Sequence, residues 1–131
     1  GTSFHYAPPS DEIEANAQTL PLLREFFAEK GISAAVGKVW TTDAFFRETV
    51  ARVEERRAQG CIAVERECAA LAALARFREK QVAQFLYAAD NLDAEIWDER
   101  SLANHAGMDA KRRLMDWAVE LGARWERDPN G

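Results

Sequence analysis

Three apolar stretches of this sequence, ISAAVGKVWTT at residues 32–42, CIAV at 61–64 and VAQFLYA at 82–88, are each followed closely by carboxylates: Asp43, then Glu65 with Glu67, then Asp90. If the stretches are parallel strands, those acids gather on the sheet edge where open α/β folds bind their ligands. There they could accept hydrogen bonds from sugar hydroxyls, act as general acid or base, or hold a metal ion. The competing reading is local, with Glu67 a carboxylate favoured by a helix dipole and Asp43 and Asp90 turn formers. From the residue types alone the two readings carry equal weight. The aromatic pair Phe45-Phe46 just past Asp43 tilts toward function, because a ring beside clustered acids suits a flat polar ligand. Taken singly, each phenylalanine still reads as core.

Other chemistries find less support. His5 and His105 are isolated, and Cys61 and Cys68 have no second pair to complete a zinc site, so they read as ordinary buried thiols of a reducing compartment. No G-x-S-x-G elbow is present, and neither G-x-x-x-x-G-K-[ST] nor G-x-G-x-x-G occurs. Arg52, Arg56 and Arg57 alternate with Glu48, Glu54 and Glu55, the pattern of a solvated helix face rather than a phosphate track. With 22 acidic against 17 basic residues, the formal charge of −5 repels a nucleic-acid backbone and an anionic membrane surface. Neither is an expected partner. No run approaches the roughly 20 apolar residues that span a bilayer, and the first residues lack the pattern of a signal peptide. A cytoplasmic location is the expectation.

The elements that must position the acids follow from periodicity. A total of 131 residues, 47% hydrophobic and 30% charged, suits a single folded domain. Residues 1–16, with Pro8-Pro9, read as a loop. Leu20, Leu23, Phe26 and Phe27 predict a helix over 17–30, with Pro21 in its first turns and Gly31 as its stop. Strands are expected at 32–42, 61–64 and 82–88, and helices at 48–59, ended by Gly60, and at 67–79, rich in alanine and leucine. Residues 90–101 read as an acidic loop. A last helix over 108–127 places Leu114, Trp117, Ala118, Leu121 and Trp125 on one stripe. This alternation predicts an α/β fold with mostly parallel strands, since parallel neighbours need helical crossovers. Three strands are few for such a sheet, so either its edges are exposed or other strands are missing.

The ordered series Gly1-Thr2-Ser3-Phe4-His5-Tyr6, Val36-Gly37-Lys38, Thr41-Thr42-Asp43-Ala44-Phe45-Phe46, Ala63-Val64-Glu65-Arg66-Glu67 and Ala89-Asp90 resembles the nucleoside phosphorylase family, which includes purine and uridine phosphorylases. The resemblance runs from the first residue to about Asp98. It implies a partial phosphorylase-type fold, with residues 1–131 a single domain forming the C-terminal half and the N-terminal phosphate-binding half absent. It also implies phosphorolytic cleavage of the ribosyl C–N bond of a nucleoside, with no cofactor, phosphate as co-substrate, and a homo-oligomer as the working form.

By the same resemblance, Phe45 falls where the family places an aromatic against the nucleobase. Glu67 falls on the glutamate that binds ribose hydroxyls, and Glu65 on the one that helps shape that pocket. Asp90 falls on the acid that protonates or hydrogen-bonds a departing purine at N7, a role that requires burial to raise its pKa. An anionic Glu67 would favour an oxocarbenium-like transition state. Three departures accompany the match. The family's phosphate-binding loop, arginine and threonine belong to the half not present. Arg66 replaces the methionine that packs under the ribose, leaving an outward rotamer, a changed substrate such as a 5′-phosphorylated one, or lost activity as outcomes, of which the outward rotamer is favoured. The glutamine and arginine that read uracil are also missing after the aromatic pair, which with Asp90 leans toward a purine. A hydrolytic nucleosidase and a non-catalytic fragment or binding module with a site decayed at Arg66 are the alternatives.

Overall fold

The computed structural model of the chain describes residues 2–15, 18–88 and 108–127. Two compact units are present, Gly1–Phe85 and Leu86–Gly131.

The first unit opens with a short 3-10 turn, Thr2–His5, and then a loop to helix α1, Leu20–Glu29. Pro21 sits in the first turn of α1, where its missing N–H would have had no helical partner. The apolar spacing seen in the sequence does what it predicts: Leu23, Phe26 and Phe27 are buried, Phe26 completely. Phe27 meets Phe26 edge-on at 5.6 Å and Phe85 edge-on at 5.2 Å, the offset geometry that aromatic quadrupoles prefer.

Strand β1, Lys38–Thr41, pairs in parallel with β2, Cys61–Glu65, and helix α2, Val50–Ala58, makes the crossover between them. The register sets Lys38 against Cys61, Val39 against Ala63, Trp40 against Val64 and Thr41 against Glu65, so Ile62 is an extra residue bulged out of the ladder. Gly37 accommodates that bulge, because a Cβ there would stand 2.7 Å from Ile62 Cδ1. Helix α2 buries no side chain and ends ahead of Gly60, whose φ of 86° is left-handed backbone that glycine adopts without strain. The solvated-face reading of its charges holds except at Arg56, whose guanidinium lies over the Trp40 ring at 5.7 Å. Helix α3, Cys68–Phe77, buries Cys68, Ala72 and Ala73 and packs on β1 and on the N-terminal 3-10 turn, where Tyr6 meets Phe77.

Two strand expectations are corrected. The stretch 32–42 contributes only Lys38–Thr41 to the ladder, because the partner strand has just five residues and the segment before Gly37 has nothing to pair with among the described residues. The stretch 82–88 has strand composition but forms no strand. Its Val82 carbonyl accepts the Thr19 hydroxyl at 2.7 Å, and Phe85 packs on Phe27. In the second unit, helix α4 runs Met108–Arg127 with Leu121 buried, Leu114, Trp117 and Trp125 half-buried, and Ala118 exposed. No described helix is long and apolar enough to cross a membrane.

Candidate functional site

Parallel pairing of Thr41 with Glu65 brings the residues that follow both strands to one edge: Thr42, Asp43 and Phe45 from β1, Arg66 and Glu67 from β2. The Thr42 amide extends the pairing by donating to the Glu65 carbonyl at 2.8 Å. The expected gathering of acids is therefore present for Asp43, Glu65 and Glu67. Asp90 and the acidic loop after it lie outside the described residues.

The Glu65 carboxylate is fully engaged. Its Oε2 accepts the backbone N–H groups of Glu67 and Cys68, each at 2.6 Å. Its Oε1 accepts the hydroxyl of Thr41, and Thr41 Oγ1 in turn accepts the Ala69 N–H at 3.1 Å. Three of the amides that the start of α3 would leave orphaned are thus satisfied by side chains from the two strand ends. Such bonds to an ionised acceptor are among the stronger hydrogen bonds in proteins. They fix where the first turn of α3 stands relative to both strands.

Glu67 is left free by this arrangement. It is the N-cap residue of α3, yet its side chain caps nothing, is exposed, and takes no hydrogen bond from the described residues. The helix dipole supports its negative charge at that end. The resemblance gives Glu65 a pocket-shaping role and Glu67 a hydroxyl-binding one; in the structure the Glu65 carboxylate is held by Thr41 and the α3 amides while the Glu67 side chain is exposed. Thr41 had no role assigned from the sequence. Its signal lies in register: a hydroxyl on the last residue of one strand, opposite a glutamate on the last residue of its parallel neighbour.

On the β1 side, Thr42 is buried and its Oγ1 accepts the Ala44 N–H at 3.2 Å, bending the chain into a second 3-10 turn, Phe45–Arg47. That turn directs both phenylalanines outward, so neither is core: Phe45 is 59% exposed and Phe46 75%. Their rings meet edge-on at 5.6 Å. The Arg66 guanidinium carbon lies 5.2 Å from the centroid of Phe45, within cation–π range. Arg66 is exposed, with its guanidinium resting on the ring.

Cys68, in the first turn of α3, is buried, and burial pushes its thiol pKa up, with the adjacent Glu65 charge adding to the effect. Such burial disfavours the thiolate, the nucleophilic form. Both cysteines are free. Among the described residues no three His, Cys, Asp or Glu side chains converge as metal ligands would. The family model described as the phosphorylase superfamily matches residues 1–116. No solved structure matches the chain.

Proposed function

We propose, because this chain belongs to the phosphorylase superfamily, that it carries the nucleoside-binding part of a nucleoside phosphorylase with a preference for purine nucleosides. The observation that carries the reading is the placing of an unengaged Glu67 carboxylate and an exposed Phe45 ring, with Arg66 over that ring, just past the ends of adjacent parallel strands. A carboxylate accepts two vicinal hydroxyls, and a flat ring takes a nucleobase. Glu65 serves by holding Glu67 in place.

In this reading Phe45 stacks the base, Glu67 binds the ribose hydroxyls, and Asp90 supplies the proton or hydrogen bond to the departing purine. The C–N bond breaks with its electron pair on the base while a phosphate oxygen bonds the anomeric carbon. Charge rises on the sugar as it does so, and a nearby anionic Glu67 stabilises it. The phosphate is a substrate bound by residues that the family resemblance places in another half of the domain. A homo-oligomer in the cytoplasm is the working form proposed.

The test is release of hypoxanthine from inosine by the intact protein, with and without inorganic phosphate. Phosphate-dependent release is expected, and Glu67→Gln should lower kcat/KM by about a hundredfold or more, the scale of losing one transition-state contact. Equal release without phosphate would instead identify a hydrolase. No release under either condition would support a non-catalytic binding module.

A further inference from the structure

We propose that Arg66 forms the second face of the base subsite, so that a planar ring inserts between its guanidinium and Phe45, and that this sandwich favours rings carrying negative charge. The inference rests on the base-stacking role given to Phe45 above and adds a substrate class to it. Phe45 is 59% exposed, and Arg66, also exposed, has the Phe45 ring as its one charged or ring contact among the described residues. A guanidinium resting on the face a ligand would use must either leave or stack on the ligand.

Stacking requires little movement. Each face-to-face contact needs about 3.5 Å between heavy atoms, so a ring held between Phe45 and the guanidinium needs about 7 Å. The guanidinium carbon is 5.2 Å from the Phe45 centroid. A withdrawal of about 2 Å is within reach of a long, exposed side chain that gives up only that one contact. The guanidinium is planar, stays protonated at all relevant pH, and stacks on π-faces, properties that methionine at this position would not supply.

Charge decides which rings gain. Asp43, Glu65 and Glu67 are all carboxylates on this edge, with the Glu65 oxygens held by the α3 amides and Thr41, and Arg66 supplies the positive charge there. Arg66 is thus the cation placed against the ring, and an anionic ring is best accommodated on its face. In phosphorolysis the ring leaves with the electron pair of the broken C–N bond while a phosphate oxygen takes its place on the sugar. The same contact that selects an acidic ring therefore also meets the charge of the departing one.

Calorimetric titration of the protein with urate, which is anionic at neutral pH, and with hypoxanthine, which is neutral, tests the sandwich. Arg66→Met should weaken urate binding about tenfold or more and hypoxanthine binding less than about threefold, the difference reflecting a desolvated cation–π and charge contact. Arg66→Lys should restore part of the urate affinity, since it keeps the charge but not the plane. Phe45→Leu should weaken both bases. Equal losses for the two bases in Arg66→Met, or no loss for either, would overturn the sandwich while leaving the proposed function standing. If neither base binds the wild-type protein, with its fold intact by circular dichroism, the proposed function itself fails.

Discussion

Glu65 and Glu67 are the same side chain two positions apart, and what surrounds them gives them opposite tasks. Glu65 ties Thr41 and two amides at the start of α3 together, whereas the Glu67 side chain takes no hydrogen bond from the described residues. Glu65→Ala should therefore destabilise the protein by about 1–2 kcal/mol, the range for a lost helix cap. Glu67→Ala should stay within about 0.5 kcal/mol, as exposed substitutions do. Urea melts of the two variants decide it, and similar losses would contradict the division. Cys68 gives a pH signature at the same scale. Its pKa is raised in the folded protein, so the folded state holds the thiol proton at a pH where the unfolded chain releases it. The stability this contributes is present below the unfolded thiol pKa and is lost as pH rises through the folded value. Alkylation by iodoacetamide should accordingly be slow at neutral pH and accelerate only in the alkaline range, and fast neutral labelling of Cys68 would contradict its burial. The two glutamates were legible in the sequence as residues of one site. Their separation was not, because it depends on a hydroxyl 24 positions earlier that reaches Glu65 only once the strands pair.

Helices were the most legible elements, since their apolar spacing is local and complete within each segment. The stripe Leu23, Phe26 and Phe27 and the alanine-rich run of α3 announce the faces they bury. Strands were less so, because a strand exists only where a partner lies alongside. Residues 82–88 have the composition of one and lack the partner among those described, whereas Cys61–Glu65 has both. The bulge at Ile62 likewise belongs to the pair of strands and not to either alone. Gly37 makes room for it, which predicts a coupling. Gly37→Ala would bring a Cβ within 2.9 Å of Ile62 Cγ1, and should cost about 1 kcal/mol. Ile62→Ala should remove most of that penalty, giving a double-mutant interaction of about 0.5 kcal/mol or more. Strict additivity of the two substitutions in thermal melts would show that the close approach is not felt. The pairing matters for function because the same register that expels Ile62 sets Thr41 opposite Glu65.

Among the described residues of the molecule, apolar side chains remain on the surface in number, including Phe4 at 60% exposure, Phe46 at 75%, Val50 at 76% and Phe77 at 59%. A two-stranded sheet also leaves one side of each strand without a ladder among the described residues. Exposed apolar surface of this kind favours association, opposed by a net charge of −5 on every copy. Sedimentation velocity should therefore show self-association that strengthens as added salt screens the repulsion, and a monodisperse monomer at all salt concentrations would contradict it. The family membership was legible in the sequence from ordered motifs, while the contact of Arg66 with Phe45 needed side-chain positions that no motif encodes. The central claim is that a free Glu67 carboxylate beside Phe45 holds the ribose of a nucleoside. It is tested most directly by titrating the protein calorimetrically with inosine and with 2′,3′-dideoxyinosine, which lacks both hydroxyls. Hydrogen bonds to a charged group contribute about 1.5–3 kcal/mol, so the account predicts that inosine binds about tenfold or more tightly than its dideoxy analogue, with the gap abolished in Glu67→Ala. Equal affinities for the two nucleosides in the wild-type protein would contradict it.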